Sequence, residues 1–215
     1  MPQAFVPRLD VLPPEQRHLW GKLGAIPSDF VLYGGTAIAL QLGHRQSIDF
    51  DFFAQRDIDA AALQTQVPFL TDAKVIQREP NTLSVLVDWD APVKVSFFGV
   101  PRLPRLLPPL VAADNGVHIA SLVDLAGTKA SVVQLRAEAK DYLDLDAIIK
   151  HGGVSLPLAL AAAQRLYGPA FNAQSTLKAL SYFEDGNLGT LPNTVQRDLA
   201  AAARAVDLDR LPAVP

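Results

Sequence analysis

Cysteine is absent from the 215 residues, which removes disulfides, thiolate metal ligation and cysteine nucleophiles from consideration. Histidine is scarce: His18, His44, His118 and His151 are scattered and form no histidine-rich metal motif. No apolar run approaches the length of a membrane span, and the first residues lack the basic-then-apolar pattern of a secretory signal. The expectation is a cytoplasmic protein with no membrane partner. A surplus of one charge is also missing. With 19 Lys and Arg against 22 Asp and Glu, the net charge of −3 argues against the uniformly basic surface of a general nucleic-acid coat protein, while a local basic groove stays open. The phosphate loop Gly-x-x-x-x-Gly-Lys-Ser/Thr, the dinucleotide fingerprint Gly-x-Gly-x-x-Gly and the Gly-x-Ser-x-Gly elbow are all absent.

What is present suits a folded chain. Hydrophobic residues make up 49% and charged residues 19%, close to globular averages, so one generous core or two small ones can be built. Residues 13–24 read as a helix opened by Pro13-Pro14-Glu15, with Leu19, Trp20 and Leu23 at helical spacing. Phe30 to Tyr33 reads as a buried strand ending in Gly34-Gly35, followed by a helix from Thr36 to Leu42 stopped by Gly43. Ser47 to Phe53 alternates, with Ile48, Phe50 and Phe52 on one face and Ser47, Asp49 and Asp51 on the other. A helix over 58–66 and strands near 73–78, 82–88 and 93–98 follow, the last two joined by a turn at Asp90-Ala91-Pro92. Four prolines between Pro101 and Pro109 preclude a regular element there. Beyond Ser121 the periodicity is helical throughout, over 121–136, 140–150, 155–166, 173–183 and 192–205. The class is therefore α+β: a mixed sheet with helices over residues 1–110, and an all-helical subdomain over 111–215 packed against it.

The segment GGTAIALQLGHRQSIDFDFF, residues 34–53, carries the chemistry. A strand that turns through two glycines into a helix exposes backbone N–H groups where the helix dipole favours a phosphate. Glycine lets the backbone approach it closely. On a strand, Asp49-x-Asp51 puts both carboxylates on one face, roughly 6–7 Å apart, close enough to share a divalent cation. Each piece alone has a structural explanation, a turn or a solvated strand face. Yet aspartate is a poor strand residue, and like charges on one face repel. The order strand, Gly-Gly, helix, Asp-x-Asp favours a nucleotide site.

The same segment resembles the first signature of the DNA polymerase β-type nucleotidyltransferases. Its form GGTAIAL…HR-x-S-x-D-x-D-F-F is similar to the AbiEii/AbiGii toxin family of nucleotidyltransferases. Residues 121–146, SLVDLAGTKASVVQLRAEAKDYLDLD, resemble that family's later signatures, an Asp-Leu-Ala…Lys helix and a Lys-Asp-x-x-Asp helix. The resemblance implies that Gly34, Gly35 and Thr36 cradle a triphosphate, with Ser47 and Arg45 in the nucleotide-binding set. Arg45 either contacts a phosphate or pairs with Asp51. It further implies that Asp49 and Asp51 hold Mg2+ and that Lys129 neutralises the phosphates. Asp141 would serve the acceptor hydroxyl as base or orienting group, while Asp144 assists or anchors the helix. On its own, Lys129 reads as a solvated lysine, and Arg136 as a residue sharing its stripe.

One departure from the superfamily stands out. A third carboxylate is common on the strand that follows, here Val93 to Phe98, whose polar positions are Lys94 and Ser96; Asp88 and Asp90 are the substitutes nearby. The expected activity is Mg-dependent transfer of a nucleotidyl group from an NTP to an acceptor hydroxyl on RNA such as tRNA, or on protein. The expected setting is a toxin opposed by a cognate antitoxin. The alternative is a non-catalytic nucleotide-binding or interaction protein on a degenerate scaffold, which Ser96 favours. Arg102 and Arg105 offer either a local RNA-binding patch or ordinary solvated charges.

Overall fold

The structure, a computed structural model, describes residues 3–88 and 91–214. Asp90, a candidate substitute acid and part of the expected turn, lies outside the described residues. The chain divides into two compact units, Met1–Pro104 with Pro108–Ala120, and Arg105–Leu107 with Ser121–Pro215. Among the described residues no single helix is long and apolar enough to cross a membrane.

The first unit holds, in chain order, β1 (Ala4–Phe5), α1 (Pro14–Trp20), β2 (Val31–Tyr33), α2 (Gly34–Leu42), β3 (Phe50–Ala54), α3 (Ala60–Gln66), β4 (Lys74–Glu79), β5 (Thr82–Val87), β6 (Val93–Gly99), β7 (Leu110–Ala112) and β8 (His118–Ile119). The strands form one mixed sheet in the order β1-β7-β8-β2-β3-β6-β5-β4. Because β2 lies between β8 and β3, its Val31, Leu32 and Tyr33 are all buried, and the uninterrupted apolar run is the composition such a position requires. β2 and β3 are antiparallel with Tyr33 opposite Asp51, whereas β3 and β6 are parallel with Asp51 beside Ser96. One face of β3 turns Phe50 and Phe52 into the core, where Phe52 stacks on Phe97 at 5.6 Å and Phe50 on Trp20 at 6.3 Å. The opposite face carries Asp51 and then Phe53, whose ring lies 5.0 Å from both Tyr33 and Phe98.

Several elements differ from the sequence expectation, each for a local reason. Helix α1 stops at Trp20, and a separate tight turn over Leu23–Ala25 carries Leu23 into the core. The strand expected from Ser47 starts only at Phe50. Ser47 is buried and Ile48 is 57% exposed, the reverse of the alternation that period-2 spacing predicts. Strands β1, β7 and β8, two or three residues each, have no counterpart in the sequence pattern. The last two bring the first unit's sheet to Ala120, past the proline strip.

The second unit is helical: α4 (Leu122–Val132), α5 (Ala139–His151), α6 (Leu156–Tyr167), α7 (Ala173–Ala179) and α8 (Asn193–Arg204). Ser121 caps α4 by accepting from the Asp124 N–H at 3.0 Å, and its hydroxyl donates to Asp124 Oδ2 at 2.6 Å. Asp124 also accepts from the N–H groups of Leu106 and Leu107, which ties that short segment to this unit. The alanine run of α6 allows a close helix crossing. A Cβ on Gly127 of α4 would lie 2.8 Å from Leu166 Cδ1 and 3.0 Å from Ala162, so glycine is what lets α4 approach α6 this closely.

Candidate active site

Gly34 makes the step from β2 into α2 at φ 74°, a left-handed conformation that glycine alone adopts without strain. The helix therefore starts two residues earlier than expected, and both glycines lie in its first turn. The N-cap side chain caps each of α3, α4, α6 and α7, whereas the N-cap residues of α1, α2, α5 and α8 make no such bond; at α2 that residue is Tyr33. First-turn N–H groups without a capping side chain are donors for an anion. Beside them lies a carboxylate: a methyl group on Gly34 would stand 3.1 Å from Asp51 Oδ2. Strand pairing explains the proximity, because Tyr33 and Asp51 are direct cross-strand partners.

Thr36 is 1% exposed and turned inward. Its hydroxyl lies 2.7 Å from Ser47 Oγ and donates to the Asp49 carbonyl. These bonds hold the 43–49 segment against the first turn of α2 and account for the late start of β3. Asp49 thus sits in the loop just before the strand and Asp51 within it, rather than both on one strand face. The Thr36 and Ser47 hydroxyls are occupied in this contact, so what Thr36 offers a ligand is its backbone N–H. Arg45 Nη1 donates to the Gln46 carbonyl at 2.8 Å in the same loop.

The position across from Asp51 on β6 is Ser96, fully buried and 3.1 Å from Ser84 Oγ of β5. A neutral hydroxyl pair, and not an acid, therefore stands at the β6 position paired with Asp51. Among the described residues no group of three or more His, Asp or Glu is arranged to hold a metal by itself. The hard-oxygen donor beside this turn is the Asp51 carboxylate, and Asp49 lies two residues before it in the chain. That suits Mg2+ bound through one or two carboxylates together with substrate phosphates, rather than a closed protein cage.

The later motif forms a cluster within the second unit. Lys129, only 6% exposed, places Nζ 2.6 Å from Asp141 Oδ1 and 2.7 Å from Asp144 Oδ2. Asp141 and Asp144 are three apart on α5, so they share a helix face, and both are fully buried. Lys129 is thus a buried, paired cation and not a solvated one. Arg136, no more than a stripe residue by its spacing, donates from Nε to Asp141 Oδ2 at 2.7 Å and from Nη2 to Oδ1 at 3.2 Å. Burial alone would raise the Asp141 carboxyl. The Arg136 and Lys129 contacts outweigh it and hold the group below its ordinary 3.8. Burial, with Asp141 and Asp185 nearby, pushes Tyr142 up to about 12. The only signal for Arg136 in the sequence is its place five residues before Asp141, across a helix break.

A mixed sheet with a glycine turn against an aspartate, followed in sequence by a helical half, is a nucleotidyltransferase-like fold. The closeness to solved structures agrees. MenT4, a nucleotidyltransferase toxin of Mycobacterium tuberculosis H37Rv, matches with a TM-score of 0.61 at 17% identity over 91% of this chain and 83% of its own. A candidate nucleotidyltransferase from H. pylori matches with a TM-score of 0.57 at 18% identity, covering 88% of this chain and 91% of its own. The profile of the nucleotidyl transferase AbiEii toxin family, type IV toxin–antitoxin systems, matches residues 21–213, and the chain belongs to that family. An uncharacterized protein of Aquifex aeolicus (strain VF5) is 33% identical over 175 residues, 80% of this chain and 82% of its own length.

Proposed function

We propose that the chain transfers a nucleotidyl group from a nucleoside triphosphate to an acceptor hydroxyl, with RNA such as tRNA, or a protein, as acceptor. The observation that carries this reading is the Gly34 turn lying against the Asp51 carboxylate at the start of α2. The backbone N–H groups of Gly34, Gly35 and Thr36 hold the triphosphate, and Arg45 and Ser47 complete the loop beside it. Asp49 and Asp51 hold Mg2+ together with the phosphates; the ion, when bound, supplies charge neutralisation at the reacting phosphoryl group. The acceptor oxygen bonds to the α-phosphorus as the α–β bridging bond breaks. Pyrophosphate leaves, and the hydroxyl proton is released. Lys129 is assigned the charge on the phosphates, Asp141 the orientation of the acceptor step, and Asp144 the anchoring of Lys129. Family membership supports a toxin role countered by a cognate antitoxin.

Incubation with each α-labelled NTP, Mg2+ and either total RNA or lysate protein tests the reading. Label should appear in one acceptor class, Asp141→Asn should lose it, and Ser96→Ala should keep it. A second reading, a nucleotide-binding protein without turnover, is favoured by the buried Ser96 beside Asp51. Magnesium-dependent NTP binding with no label on RNA, protein or the chain itself would establish it.

Gly34 allows a controlled comparison. Alanine at φ 74° costs about 1–2 kcal/mol of strain and brings a methyl group against Asp51 Oδ2. Gly116 has φ 76°, and a methyl group there would meet nothing within 4 Å, so Gly116→Ala carries the strain alone. Thermal melts should show both variants destabilised, while label transfer should collapse only in Gly34→Ala. Equal activity in the two would remove the Gly34 turn from the site.

A further inference from the structure

We infer that Arg136 is a positioning residue for the proposed transfer, its guanidinium clamping the Asp141 carboxylate so that Asp141 in turn fixes the Lys129 ammonium. This rests on the reading of Lys129 and Asp141 as residues of the reaction. The geometry is a fork: Nε meets Oδ2 at 2.7 Å and Nη2 meets Oδ1 at 3.2 Å, a bidentate arrangement that lysine cannot reproduce. Oδ1 is shared with Lys129 Nζ at 2.6 Å, and Lys129 reaches Asp144 Oδ2 at 2.7 Å. Two cations and two carboxylates thus form one continuous network.

Arg136 itself is half-exposed, and an ion pair between two such groups would contribute little. Its partner is fully buried, however, so losing the guanidinium strands a buried carboxylate with one cation fewer. The charged and titratable groups around Asp141 include Lys129 from α4, Arg136 from the α4–α5 connection, and Tyr142 and Asp144 from its own helix; Asp185 acts on Tyr142. Arg136 also binds Glu138 from the same connection at 3.5 Å. A carboxylate held by two cations below the ordinary range is a weak proton acceptor. Of the two roles open to Asp141, orientation is therefore the one this network serves.

The test uses Arg136→Gln and Arg136→Lys in the full chain. It reads kcat, the KM for NTP, and the Asp141 carboxyl titration by carbon NMR, assigned by its disappearance in Asp141→Asn. Arg136→Gln is expected to lower kcat about 10- to 100-fold, to change the NTP KM less than about threefold, and to move the Asp141 titration to higher pH. Arg136→Lys, which restores charge without the fork, should return most of the titration but only part of kcat. An Asp141 titration unmoved in Arg136→Gln, or a kcat within about twofold of the parent's, overturns the clamp. Should Arg136→Gln not fold, a parent-like kcat in Arg136→Lys overturns it equally. A parent protein that transfers no label overturns the reaction itself, and the titration then reads the clamp separately.

Discussion

Asp51→Asn is expected to lower magnesium-dependent nucleotide transfer by about a hundred- to a thousandfold while leaving the protein folded. Asparagine keeps the size of the side chain and can still accept a hydrogen bond, so the packing against Gly34 survives. What disappears is the charge that a divalent ion needs. Asp51 is only partly buried, and asparagine fills its place. The thermal midpoint should therefore stay close to the parent's. Kinetics and a thermal melt on the same preparation check both halves. Full activity with a normal melt would take Asp51 out of the metal site, and a collapsed melt would mean its role is structural.

The second large effect belongs to Lys129, and its direction is the opposite. Lys129→Met removes a buried ammonium from between two fully buried carboxylates, and uncompensated buried charge costs about 3–5 kcal/mol. Urea unfolding at neutral pH should register that loss. Adding Asp144→Asn to Lys129→Met should recover part of it, because one of the stranded charges goes. The pH dependence follows from the lowered Asp141 pKa. A carboxyl with a depressed folded value contributes stability that is complete above its unfolded pKa and vanishes as pH falls through the folded one. The parent should thus lose this contribution gradually, from the ordinary carboxylate value down through the lowered one. Lys129→Met, with one of the lowering contacts gone, should unfold at a higher pH. Unchanged urea and acid midpoints would mean the cluster does not hold this unit together.

The parts of the site visible in the sequence are those whose physics is local. A strand ending in two glycines predicts a turn into a helix, and Gly34 makes it, at positive φ; the apolar positions Phe50 and Phe52 fix which side of β3 faces the core, which leaves Asp51 on the other. Sequence pattern falls short where a tertiary contact decides. Ser47 and Ile48 fit the alternation on paper, but the Thr36 hydroxyl pulls Ser47 inward and turns Ile48 out. Strands β1, β7 and β8 are too short to show a period, and they exist because neighbours supply their hydrogen bonds. Lys129 and Arg136 differ by seven residues, a spacing that suggests a shared stripe. Only the fold of the α4–α5 connection reveals that both converge on Asp141. Thr36 reads in the sequence as a phosphate contact, and a pattern could not show that its buried hydroxyl also bonds the Asp49 carbonyl in the loop before β3.

The position of the label in the NTP tests the central claim most directly. The chain, Mg2+ and a responsive acceptor are incubated in parallel with NTP labelled at the α- or at the γ-phosphate. Transfer of a nucleotidyl group predicts label in the acceptor from the α-position only, with unlabelled acceptor and labelled pyrophosphate from the γ-position, and neither product in Asp51→Asn. Acceptor labelled from the γ-position, or pyrophosphate release that persists in Asp51→Asn, would contradict it.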